Sequence, residues 1–206
     1  MDTTLISIFN IVVMLYSVTI HEISHGLMAN SLGDPTAKNL GRLSLNPIKH
    51  IDLFGSIILP LVLLYTTGFA FGYAKPVPYN PNNLTDRKYG PAKVAIVGPL
   101  SNLILALLFG FTLRFMPDIF SSPLVPLLLS NIVVLNLGLA VFNMFPVPPL
   151  DGHWLLMTFL PARFNALKVY IYKNSFFIFP IFLIIFMFYV SPLIYWLFKL
   201  ITGIGL

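Results

Sequence analysis

The 206-residue sequence predicts an all-α polytopic membrane protein. Hydrophobic residues make up 57% of the chain and charged residues only 9%, against about 25% charged in a soluble domain. Apolar runs recur at lengths near the roughly 20 residues that cross a hydrocarbon core. No stretch between them is polar enough to build a separate soluble domain. The chain is therefore read as one membrane-embedded unit over residues 1–206, with about four full transmembrane helices and one further hydrophobic segment that is re-entrant or transmembrane.

The first segment, residues 5–30, follows a start whose one charge is Asp2. A secretory signal has a positive n-region and a shorter apolar run, so this segment is expected to remain as a helix. The second, residues 53–71, contains Gly55, Pro60 and Gly68 as turning points. It is followed by "AKPVPYNPNN", whose prolines remove backbone donors and restrict the residues before them. That stretch is expected to be an extended, turn-rich surface loop. The third and fourth segments, residues 92–115 and 124–145, are joined by the short "MPDIFSSP". The fifth, residues 175–200, is expected to cross as one helix.

The formal charge of +5 does not indicate nucleic acid, because the basic residues flank apolar runs. There they set topology and contact anionic lipid head groups. If all five segments cross fully, Lys38, Arg42 and Lys49 oppose Lys75, Arg87, Lys88, Lys93, Arg163, Lys168 and Lys173. If residues 53–71 dip in and return, all ten share one face and only Arg114 and Lys199 lie opposite. The positive-inside rule favours the second arrangement, with the N-terminus outside. Re-entrant backbone is allowed where protein or water covers it.

The chain's only glutamate, Glu22, lies in "HEISH" within the first apolar segment. His21 and His25 are four residues apart, so on a helix they project about 40° from each other, one turn displaced. Two imidazole nitrogens at that spacing can meet one metal ion. Glu22 is rotated about 100° from His21; it can reach a water at the metal and serve as general base. Two histidines hydrogen-bonded in a helix bundle would leave an ionisable glutamate in an apolar segment, at a cost of several kcal/mol unless paired. There are no cysteines, so any metal has only nitrogen and oxygen donors available.

A third ligand must come from His50, His153, Asp34, Asp52, Asp86, Asp118 or Asp151, since no second glutamate exists. The extended pattern with a third histidine fails, because Met28 and Ser31 occupy its later positions. Asp151 stands out in "FNMFPVPPLDGHW", where Pro146, Pro148 and Pro149 break a hydrophobic helix at the membrane edge. The alternative for Asp151 is a cap on the next helix. For His21, His25 and Asp151 to meet, the first and fourth segments must run in the same direction. A re-entrant second segment makes them do so.

With "HEISH" late in one helix and "NMFPVPPLDG" at the end of another, the chain resembles the site-2 protease family of intramembrane zinc metalloproteases. "GRLSLNPIKHIDLFGS", "GYAKPVPYNP" and "VGPLSNLILAL" are similar to small members without PDZ or CBS domains. The resemblance covers roughly residues 19–152. It implies one Zn2+ per chain held by His21, His25 and Asp151, with Glu22 activating water at the zinc. It also implies that Asn143 donates a hydrogen bond to the developing oxyanion, or else makes an interhelical contact. Gly98, Pro99 and Asn102 match the family's "GPxxN" element and are expected to serve close helix packing. The implied activity is hydrolysis of a peptide bond in or near a transmembrane segment of a membrane-protein substrate. From the resemblance and the charge distribution, the chain is expected in a prokaryotic cytoplasmic membrane, with the site opening to the cytosolic side. The alternative is a metal-ion transporter, which would need further polar residues lining a path across the bilayer.

Overall fold

A computed structural model describes residues 3–67, 72–116 and 122–205. The described residues are helical and contain no strand, so the all-α polytopic class is borne out. Three helices are long and apolar enough to span a membrane: α1 (Thr3–Ser31), α4 (Gly90–Phe115) and α5 (Leu124–Asn143). At 1.5 Å per residue each reaches about 30 Å or more. Their outward faces are apolar and exposed, with Leu5, Ile8, Ile104, Leu108 and Leu127 among the residues left uncovered. In water that surface would collapse or aggregate; lipid tails match it, so tight packing is reserved for small and polar contacts between helices.

Polar pairs fix the direction of each helix. Asn10 pairs with Asn131 at 3.2 Å and Ser17 with Asn136 at 3.0 Å, so α1 and α5 run parallel. Asn102 reaches back to the Ser17 carbonyl at 3.3 Å while His25 meets the Val94 carbonyl at 2.7 Å, so α4 runs antiparallel to α1. The apolar core lies towards the other end, where Ala106, Leu113, Val133, Leu137, Phe198 and Ile201 pack together. Gly110 has no side chain to keep α9 (Ser191–Thr202) away; a methyl there would run into Ile201.

The described ends of the second apolar segment come back together, as a re-entrant segment requires. Asp52 accepts the Gly55 N–H at 2.7 Å and starts a wide turn, Leu53–Ile58, which runs into α3 (Leu59–Thr67). By residue 73 the chain has returned: Tyr73 N–H donates to the Gly55 carbonyl at 3.0 Å, and Lys75 N–H to the His50 carbonyl at 2.8 Å. Gly55 and Gly72 make the close approach, since a methyl on the first would strike the Tyr73 ring and on the second Pro60. The proposed turning point at Gly68 lies outside the described residues.

The fifth segment differs from expectation. It is not one helix but two, α8 (Ser175–Tyr189) and α9, broken at Val190. Pro192 explains the break: it has no N–H to donate to the preceding turn, and its ring crowds that turn. At 15 residues, α8 is only about 22 Å long. It meets the basic, amphipathic α7 (Asn165–Lys173) at 80°, so the two form a bent pair. Between α5 and α7, α6 (Gly152–Phe159) packs against α4, with Phe159 against Tyr89 at 6.0 Å between ring centroids. The short α2 (Thr36–Asn39) closes the turn after α1.

Candidate metal centre

Helix α1 delivers His21 and His25 on one face, and their Nε2 atoms lie 3.1 Å apart. The chain after α5 delivers Asp151, whose Oδ2 is 3.0 Å from His21 Nε2 and 3.4 Å from His25 Nε2. Asp151 sits at the first position before α6 yet makes no side-chain cap, which removes the capping alternative. The turn that carries it depends on Gly152, where a methyl would run into the Met144 and Phe145 carbonyls.

The hydrogen bonds behind the histidines determine their tautomers. Asn102 donates its amide to Ser17 and to Asn136 Oδ1, so its own Oδ1 is an acceptor and His21 Nδ1, 2.6 Å away, must be the donor. His25 Nδ1 likewise donates to the Val94 carbonyl. In the neutral imidazoles both protons then sit on Nδ1, both Nε2 atoms carry lone pairs that face the same space, and Asp151 adds an anionic oxygen. Three acceptors converging within 3.0–3.4 Å repel one another without a cation between them. Ligands placed tetrahedrally about zinc at roughly 2.0–2.1 Å lie about 3.3 Å apart, so the donor set fits Zn2+ in size and chemistry. His21 and His25 are buried and Asp151 is half-buried.

The other sequence candidates are engaged elsewhere. Asp34 is fully buried and accepts hydrogen bonds from Thr36, the Asn80 N–H at 2.6 Å and Asn83 Nδ2 at 2.8 Å. Burial pushes its pKa up, but those bonds outweigh it and hold the carboxyl below its ordinary value. Asp52 caps the re-entrant turn, and Asp86 pairs with Lys93 at 2.8 Å. His50 contacts the Ser44 carbonyl, and His153 Nδ1 contacts the Leu150 carbonyl. Asp118 lies outside the described residues.

Glu22 stands beside the centre without belonging to the ligand cluster; its Oε2 accepts the Val77 N–H at 2.8 Å. Val77 comes from residues 72–80, which are irregular, as expected. They are not merely surface: Val77 is buried, and this strap lies along the end of α1. Tyr79, on the same strap, has a buried hydroxyl without a protein partner. Burial, and then the Asp151 carboxylate, raise its pKa to about 12. Asn143 is the last residue of α5, and its Nδ2 donates to the Leu139 carbonyl at 3.0 Å.

The "GPxxN" residues do more than pack helices. A methyl on Gly98 would strike Nε2 of both histidines, so this glycine makes room for the centre. Pro99, inside α4, has no N–H to donate to the Ala95 carbonyl. Asn102, fully buried, orients His21. Sequence reasoning overlooked Ser17 and Asn136, which complete this polar chain, and the Asn10–Asn131 pair. The sequence signal was uncharged amides in otherwise apolar helices. These groups satisfy one another and add no charge, so they give no support to a transporter.

The chain is 35% identical over 163 residues to "Putative zinc metalloprotease YwhC" of Bacillus subtilis, a match covering 76% of this chain and 71% of that one. It is 32% identical over 143 residues to "Putative zinc metalloprotease Rip2" of Mycolicibacterium smegmatis, covering 68% of this chain and 52% of the relative. The Rip2 of Mycobacterium tuberculosis is 28% identical with the same coverage. The chain thus spans about half the length of the Rip2 relatives. No family model and no solved structure matches it. Relatives named for zinc proteolysis, apolar spanning helices and a His-His-Asp cluster brought together by them agree, and the chain belongs to the site-2 protease family of membrane-embedded zinc metalloproteases.

Proposed function

We propose that the protein hydrolyses a peptide bond in or near a transmembrane segment of a membrane-protein substrate. Its site opens towards the cytosolic side of a prokaryotic cytoplasmic membrane. The observation that carries the reading is a non-ligand carboxylate, Glu22, next in sequence to a His-His-Asp cluster. His21, His25 and Asp151 would hold zinc, which supplies Lewis acidity for acidifying water and polarising the scissile carbonyl. Glu22 takes the proton of the attacking water on its Oε1, the oxygen that Val77 leaves free, and later delivers it to the leaving amine. Asn143 spends one Nδ2 hydrogen on Leu139 and has a second for the developing oxyanion. The substrate helix must unwind locally, because a helical carbonyl is already bonded and shielded. With a re-entrant second segment, ten of the twelve basic residues fall on the face that holds the site, which supports the cytosolic orientation.

The test compares wild type with Glu22→Gln for zinc per chain and for cleavage of a tagged single-span membrane protein in detergent. Zinc is expected to be equal in both, and the variant's rate to fall by about 100- to 10,000-fold, the range for a lost general base. Unimpaired cleavage by Glu22→Gln would sink the assignment.

A further inference from the structure

The stretch "KPVPY" sets a proline on each side of Val77. Neither proline has a backbone N–H, and Pro78 holds Val77 itself extended. Val77 is therefore the only backbone donor in residues 76–78, and that donor goes to Glu22 Oε2 at 2.8 Å. The strap is tied down on both sides of this bond. On one side Arg42 Nη2 donates to the Lys75 and Pro76 carbonyls at 2.9 and 3.3 Å. On the other, the Asn80 N–H is held by buried Asp34 at 2.6 Å. The Val77 side chain is only 5% exposed and sits over Gly26, where a methyl would meet its Cγ1 at 2.8 Å. Gly26 directly follows His25, so the helical turn that carries the centre is also the seat of the strap.

We infer that the Val77 N–H is a positioning donor for Glu22, and that "PVP" is the device that supplies it. The bond holds one carboxylate oxygen, so the other keeps a fixed aim at the water. Orientation fixed before reaction lowers the barrier without improving substrate binding. The inference rests on the reading of Glu22 as general base.

The experiment uses the full zinc-loaded chain in detergent. Val77→Pro is expected to keep its zinc and its KM, while kcat falls about 10- to 100-fold, the range for losing a hydrogen bond to a charged group. Val77→Ala keeps the N–H and is expected to lose about tenfold less than Val77→Pro. Where Val77→Pro fails to fold, a backbone ester at residue 77 deletes the same N–H without a ring. A kcat that is unchanged or raised in the N–H-deleted protein overturns the positioning role, as does an equal loss in Val77→Ala. Amide exchange at Val77 gives a readout independent of cleavage. It is expected to be slow in wild type and about tenfold faster or more in Glu22→Ala, with Asn80 unaffected. Exchange indifferent to Glu22→Ala overturns the bond itself. A wild type that never cleaves but shows Glu22-dependent protection overturns the protease reading, and the positioning role with it, while the bond stands.

Discussion

At the scale of single residues, the centre depends on groups that never touch the metal. Asn102 fixes which nitrogen of His21 carries the proton, and its own amide is fixed in turn by Asn136 and Ser17. Asn102→Ala is expected to weaken zinc affinity about 10- to 100-fold, as losses of a ligand's supporting bond do; chelator competition measures it. Asp34 is the corresponding residue outside the membrane. Its folded pKa lies below the unfolded value of about 3.9. Its contribution is therefore complete above that value and is lost as pH falls through the lower, folded one. The thermal midpoint is expected to decline with acid below about pH 4, and Asp34→Asn to flatten part of that decline. At neutral pH the same change should cost about 2–4 kcal/mol, because a carboxylate that accepts several hydrogen bonds is replaced by a group that is half donor.

At the scale of elements, α4 is shaped around α1. Gly98 and Asn102 are one helical turn apart on α4; the first clears space for both imidazoles and the second holds one of them. Gly98→Ala should fold but lose most of its zinc, and metal analysis of the purified variant checks this. Retained stoichiometric zinc would show that α1 can shift to accept a methyl. Much at this scale was readable from the chain: the three long helices, the histidine pair and the broken helix before Asp151 all follow from local pattern. Two things were not. The role of Asn102 needs to know which residue faces His21 across 81 positions of sequence, and no local period carries that. The break at Val190 was hidden because residues 175–200 are apolar apart from Ser175, Ser191 and Lys199, and Pro192 is the residue there that marks it. Pro180, by contrast, lies inside α8 without ending it, so a proline alone does not mark the boundary.

At the scale of the whole molecule, one hairpin decides where the charges lie. The chain is back beside Gly55 by Tyr73 and α1 and α5 run parallel, and with that return the positive-inside reading puts ten of the twelve basic residues on one face. The chain has no cysteine, so single cysteines report topology cleanly. Arg42→Cys and Arg87→Cys are expected to react with impermeant reagent from the same side, and Lys199→Cys from the other. Labelling of the first two from opposite sides would mean a fully crossing second segment. The same parallel arrangement has a consequence for synthesis. The imidazoles emerge early, but their carboxylate partner follows 130 positions later, after two more spans have been threaded into the bilayer. A nascent chain therefore carries His21, Glu22 and His25 through most of its synthesis without Asp151 beside them. The His-His-Asp cluster thus closes only late in the chain's own synthesis.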